Sequence, residues 1–447
     1  MASGSRSPIG SGRQMERRVR SVPLDKGRLP FRDRLAAMLS RGDILLFAFS
    51  LAFACLFLTN SYGLPQRLFA IVIIPAAVLS WLRFSPIDSR RRSIGFAGRL
   101  DLVWSMVLTA AFVYLFSLCI SSWLQADAVQ KNVDAQWLNA ASIMIFMTIV
   151  AFSVASFDAF LTRLVFVLCM IVALSALINT AAFLFGLPSL GDLISVRLIN
   201  RLGMPGYFNS TNVSATYAVF FIAAAAIVVD GRVSRGTRFW LVPAALMLLV
   251  ATLLTQSRGA YFGVFIGLCI LLPKVLRTLG RRVAGLLAAG VVVAAIVFAM
   301  MPQAQSVLAA RGSSYRPEIW SIYADRALQR PLRGYGSLSD ISIKLSNEVE
   351  IDQPHNLVLS AQVRGGLFGA LAMIVLLIGS LYWSARYIRA FDNVLPLAVI
   401  STVASVGLFD YNLLITPLNW PWVTFWLPFA ICAGAEIAVK RNSTSPA

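Results

Sequence analysis

Arginines and a lone histidine stand where the apolar segments of this chain end. Arg258 lies in TQSRGAYFG (residues 255–263), Arg311 and Arg316 in RGSSYRPEIW (311–320), and His355 in DQPHNLVLSAQVRGG (352–366). His355 is the single histidine of 447 residues. A guanidinium is planar, permanently charged, and binds phosphate oxygens in pairs. An imidazole titrates near neutral pH and can take a proton from a hydroxyl as a general base. Each residue also has a plainer reading. Arg258 fits a snorkelling arginine at a helix end, Arg311 and Arg316 with nearby Glu318 fit a salt-bridged loop, and His355 fits a satisfied structural histidine. The setting of His355 favours chemistry: Pro354 biases Gln353 to an extended backbone, Glu350 and Asp352 are close in sequence, and a long apolar run follows. Together the cations and the imidazole suit a diphosphate head group carried by a lipid, with arginines neutralising its charge. With one histidine, no HExxH and no Cys/His cluster, the sequence has no zinc motif and calls for no cofactor.

A membrane must position these groups. The chain is 58% hydrophobic and 13% charged, with a mean hydropathy of +0.74. Its apolar runs recur at lengths that cross a bilayer as helices. Lipid offers backbone groups no partners, and the runs lack the two-residue alternation of barrel strands, so the spans are helical. The expected fold class is all-α: a polytopic integral membrane protein with about 12 transmembrane helices. They are placed at 44–61, 66–82, 101–123, 138–156, 164–186, 212–229, 239–254, 259–273, 284–301, 366–384, 393–415 and 421–437, the eighth short and the eleventh open to a break. The organisation is a basic arm (1–43), nine spans (44–301), a long loop between the ninth and tenth (302–365), three spans (366–437) and a tail (438–447). Within the nine, LPSLGDLISVRLINRL suggests an interfacial helix near 187–201. In the long loop, RPEIWSIYADRAL reads as a helix of two to three turns with Pro317 in its first turn, and RGYG as a turn. Trp420, Trp422 and Trp426 fall in a belt position, where they either frame a groove for a lipid chain or only anchor helix ends. All five cysteines lie inside spans and read as small buried hydrophobes.

A net charge of +19 invites a nucleic-acid partner, but its distribution argues for none. Alternating the spans from a cytoplasmic N-terminus puts 27 of 39 Lys and Arg on the inner side, although the longest loop is outside. That is the positive-inside asymmetry of an inner-membrane-type protein with both termini cytoplasmic. The basic arm then lies against anionic head groups of the inner leaflet, and the arginine and histidine motifs come out on the far side of the membrane.

TQSRGAYFG, YRPEIWSIYADRALQRPLRGYG (315–336) and PHNLVLSAQVRGGLFGALAMIVLL (354–377) resemble the three signature stretches of the O-antigen ligase and polysaccharide polymerase superfamily of bacterial membrane glycosyltransferases. RLGMPGYFNSTNVSATYAVFF (201–221) is similar to an earlier pattern of that family, with FNSTN where Asn-Pro-Asn is often seen. The resemblance covers roughly 195–385. It implies a metal-independent, periplasm-facing glycosyltransferase. The donor would be a glycan on undecaprenyl diphosphate, and the acceptor a saccharide on lipid A-core or on a growing polysaccharide. Arg258 and Arg316 would bind the diphosphate, and His355 would orient or deprotonate the acceptor hydroxyl. Arg311, Arg201, Trp320, Tyr335 and Asn356 would contribute to substrate binding. Two other classes compete. A secondary transporter would keep ionisable groups near mid-membrane on paired, broken helices; here they cluster at span ends and no halves match. A non-catalytic envelope scaffold would tolerate the loss of His355 and Arg316.

Overall fold

The computed structural model describes residues 42–444, apart from 60, 62, 84–104, 126–129, 158, 190–195, 200–209, 231–232, 301–314, 347 and 411–413. The protein is an all-α polytopic membrane protein. Its helices are α1 (Asp43–Leu58), α2 (Gly63–Leu68, a π-helical turn Phe69–Ile73, then Ile74–Arg83), α3 (Met106–Trp123), α4 (Gln130–Ser156), α5 (Phe160–Phe185), α6 (Ser210–Val228), α7 (Arg235–Leu254), α8 (Arg258–Met300), α9 (Arg316–Gln329), α10 (Leu357–Phe391), α11 (Leu395–Asp410) and α12 (a π-helical Trp422–Trp426, then Leu427–Thr444). Every expected span has helix at its position. Among the described residues, eight helices are long and apolar enough to cross a membrane, and three more are shorter apolar helices. The eighth and ninth stretches form one assigned helix, α8, broken at Gly280 with φ 79°. The stretch expected as an interfacial helix is not helical at 187–189 or 196–199, and the rest of it lies outside the described residues.

Contacts sort the helix ends into two layers. At one, Arg163 pairs with Asp43 at 2.7 Å, Lys274 with Asp392 at 2.5 Å, and Arg441 donates to Ala155 O at 3.2 Å. The same layer holds fully buried Glu436 of α12 against the start of α3. Its oxygens accept from Ser105 Oγ (2.8 Å), Met106 N (2.9 Å) and Val107 N (3.1 Å), and Lys440 Nζ lies at 2.7 Å. Amides of a first helical turn have no intrahelical acceptor, and an acid beside them also complements the helix dipole.

The opposite layer carries the candidate chemistry. Here α9 covers a small satellite core of Ile319, Tyr323, Ala327, Ile341, Ile343, Leu345 and Val363. It has 14 residues, longer than the two to three turns expected. Its last turn is held because the Arg326 guanidinium binds Ser342 O at 3.1 Å. A two-stranded antiparallel ribbon, β1 (Ile343–Lys344) with β2 (Glu350–Ile351), pairs Ile343 with Ile351. The Tyr323 hydroxyl lies 2.9 and 3.1 Å from the carbonyl oxygens of Ile341 and Ile351, so α9 and the ribbon are fastened together.

α10 is two helices in line, broken at Gly366 (φ 64°, ψ −162°). The RGYG turn is clasped onto that break: Tyr335 N and Gly336 N donate to Val363 O and Arg364 O, both at 2.7 Å, and Leu367 N donates to Pro331 O at 2.8 Å. The end of α3 in this layer grips the other side, where Ser122 Oγ accepts from Ser337 N at 2.9 Å and Ser121 Oγ donates to Arg333 O. A Cβ on Gly334 would come within 2.6 Å of Arg364 backbone, and one on Gly336 within 2.7 Å of Ser122 Cα. The glycines are there because backbone meets backbone.

One expectation needs correcting. Trp422 and Trp426 are not in a belt and frame no lipid groove: both are fully buried in the bundle core. The π-helical turn carries them inward, and their indole N–H groups donate to Thr416 O (3.0 Å) and Leu414 O (2.9 Å). Tryptophan supplies a large apolar body with one donor, and here both needs are met inside the protein.

Candidate active site

The site gathers at the end of α11. Arg316, the first residue of α9, donates to Phe409 O at 3.3 Å, and its guanidinium carbon stands 5.3 Å from the Phe409 ring centroid. Asn356, the N-cap of α10, accepts from Leu359 N at 3.0 Å and donates through Nδ2 to Leu408 O at 3.3 Å. Two consecutive carbonyls thus receive Arg316 and the neighbour of His355. Arg258 begins α8, and one turn further Phe262 meets Phe409 edge to face at 5.7 Å. Gly263 and Gly267 make that approach possible, since a Cβ on them would meet Val406 Cγ2 at 2.6 Å and Thr402 Oγ1 at 2.5 Å of α11. Gly263 thus lets α8 approach a neighbouring helix closely.

His355 is half-buried, follows the buried Pro354, and has φ 50°. Burial holds its imidazole below the ordinary value, the Arg316 charge pushes the same way, and Asp352 opposes both. It is therefore neutral at physiological pH, with a lone pair to offer. Being the single histidine, it can be titrated directly by NMR on protein carrying nitrogen-labelled histidine. The midpoint should fall below 6.5. Asp352→Asn should lower it further and Arg316→Gln should raise it. A midpoint at or above the ordinary value would contradict this geometry.

The remaining expected residues are distributed as follows. Trp320 stands one turn after Arg316 and packs on the satellite core, its buried indole N–H without a hydrogen-bond partner among the described residues. Tyr335 sits in the clasp at the far end of the first α10 segment, its hydroxyl donating to Gln329 Oε1 at 2.9 Å. Arg258 is exposed, whereas Arg201 and Arg311 lie outside the described residues. Glu318 accepts from Ser346 N at 2.8 Å and so serves to fasten the loop.

Three features were not expected from the sequence. The Leu408 and Phe409 carbonyls carry no sequence signal, because every residue has one. Gln353 Oε1 is buried two residues before His355, without a hydrogen-bond partner among the described residues. Buried Arg364 donates to Ser337 O at 3.1 Å and so helps hold the clasp. An arginine inside an apolar run directly before Gly365-Gly366 was a legible sign of that last one. Among the described residues no group of three His, Cys, Asp or Glu is placed to hold a metal ion.

Residues 242–374 match the family model described as O-antigen ligase, a segment that contains Arg258, Arg316 and His355. A curated protein of Pseudomonas aeruginosa described as an O-antigen ligase is 28% identical over 135 residues, a match that covers 28% of this chain and 31% of the relative. This chain therefore spans about a third of the length of the relative it matches.

Proposed function

We propose, from the match of residues 242–374 to the family model described as O-antigen ligase, that the chain belongs to that superfamily and is a periplasm-facing glycosyltransferase that moves a glycan from undecaprenyl diphosphate onto a saccharide acceptor, as a ligase or a polymerase. The supporting observation is the convergence of Arg316 and of Asn356, the neighbour of His355, on the Phe409 and Leu408 carbonyls, beside the start of α8 where Arg258 stands. In this reading the acceptor hydroxyl oxygen attacks the anomeric carbon and His355 takes its proton. The bond from that carbon to the diphosphate oxygen breaks, and the electron pair leaves with the undecaprenyl diphosphate. Arg316 and Arg258 stabilise the charge that develops there. Attack opposite the leaving group inverts the anomeric centre, and recovery of a retained linkage would rule that course out.

Two further elements belong to the same proposal. The layer tied by Asp43–Arg163 and Lys274–Asp392 is cytoplasmic, with both termini on that side of the inner membrane, since that arrangement satisfies the distribution of lysine and arginine. The chemistry needs no metal, because guanidiniums take the neutralising role. Activity should therefore persist in a chelator.

The deciding experiment is deletion of the gene in its bacterial source, followed by restoration with wild type, Arg258→Ala or Arg316→Ala at matched membrane levels. Wild type should restore the surface glycan, and both variants should leave glycan accumulated on undecaprenyl diphosphate. If both variants restore it fully, the reading fails.

A further inference from the structure

The far end of α9 and the turn after it carry large aliphatic side chains that are uncovered among the described residues. Leu328, 75% exposed, is on α9, whose other face is packed on the satellite core, and Leu332, 59% exposed, is in the turn that follows. Such residues are misplaced in water, but the backbone shows what they adjoin. Pro331 O accepts from Leu367 N, and a Cβ on Gly366 would lie 2.2 Å from Leu332 O. Residues 331–332 therefore rest on the point where α10 turns into its long apolar segment. That segment continues the exposed apolar stripe with Leu367, Phe368 (63% exposed) and Leu371. On the other side of the clasp, the end of α3 adds Trp123 (61% exposed). The patch is continuous with the bilayer-facing surface of two spans.

Its rim is cationic. Arg330 and Arg333 are both exposed, and neither forms an ion pair among the described residues. Arg330 is set in place by stacking, its guanidinium carbon 4.7 Å from the Tyr335 ring centroid. Arg333 is fixed at its backbone by Ser121. Aliphatic side chains that continue a lipid-facing stripe, bordered by two oriented guanidiniums, match one kind of partner: acyl chains capped by a phosphate.

We infer that the clasp region Leu328–Arg333 is a binding site for an anionic phospholipid of the bilayer. Leu328 and Leu332 enter the acyl boundary, and Arg330 and Arg333 take the phosphate. The inference does not depend on the proposed reaction, because none of these residues belongs to the Arg258–Arg316–His355 group. It gives the clasp a second contact, with the membrane, besides its contact with the α10 break.

The test uses the full chain in detergent, offered equal amounts of phosphatidylglycerol and phosphatidylcholine with the same acyl chains, and reads retained lipid by native mass spectrometry. Wild type should retain phosphatidylglycerol with a preference of about tenfold or more, on the scale of two arginines near a phosphate. Arg330→Gln combined with Arg333→Gln should bring the preference near unity. Equal retention of both lipids by wild type would overturn the inference. So would an unchanged preference in the double variant, which would move the anionic-lipid contact elsewhere on this basic protein. Equal retention by wild type overturns the inference whether or not the variant folds, and the variant places the contact at the clasp.

Discussion

Replacing His355 by alanine is expected to reduce the rate of glycan transfer by about 10²- to 10⁴-fold, the range of a positioned general base. The donor KM should stay within a few fold, since in the proposed reaction the arginines hold the diphosphate. Protein level in the membrane should not change, because other groups hold this corner as well. Asn356 caps α10 with its own side chain and reaches Leu408 O. Pro354 is buried beside it. The backbone is another matter: φ 50° is a left-handed conformation that costs a non-glycine residue on the order of 1 kcal/mol. Holding a histidine there fixes the direction in which the ring leaves the chain. Single-turnover transfer with purified protein separates binding from chemistry. A loss of less than tenfold would mean that His355 is structural.

Gly366→Ala should be more damaging to the protein itself. The position has φ 64° and ψ −162°, a region essentially reserved for glycine and costing roughly 1–3 kcal/mol for other residues. The added Cβ would also stand 2.2 Å from Leu332 O and 2.8 Å from Arg333 N, which are backbone atoms with no rotamer to retreat to. Overpacking of that kind adds about 1–3 kcal/mol more. Against a total stability of about 5–15 kcal/mol the sum is large, and little monodisperse protein should be recovered after solubilisation. Gly280→Ala is the internal comparison. Gly280 also has positive φ, but a Cβ there would meet nothing within 4 Å. It should lower the thermal midpoint by the strain alone, so the difference between the variants isolates the clasp. Equal behaviour of the two would show that backbone contact at the α10 break is unimportant.

The helices were legible because bilayer hydropathy is a strong, local signal, and each of the twelve stretches has helix at its position. The roles of particular residues were less so, for identifiable reasons. RGYG reads as a turn in any context; that its glycines admit the backbones of Arg364 and Ser122 depends on α10 and α3, far away in sequence. Trp422 and Trp426 have the composition and span-end position of belt residues, yet a π-helical turn rotates them into the core. Arg316 and His355 were visible as chemistry-bearing types at span ends. The frame that brings Arg316 together with Asn356 is a pair of main-chain oxygens in an apolar run, which side-chain patterns cannot reveal.

The contact between Glu436 and the start of α3 has a consequence for how the chain is made. The acid and the amides it serves are about 330 residues apart, and Glu436 is in the last described helix. While helices emerge one after another from the ribosome, the Met106 and Val107 amides must wait for an acceptor that is synthesised about 330 residues later. α3 is also the helix whose other end holds the clasp through Ser121 and Ser122. A nascent chain that stops short of Glu436 therefore has all the residues of the arginine–histidine corner but a loose strut beneath it. Closure of the bundle follows synthesis of α12, which makes a finished α12 the condition for a finished site.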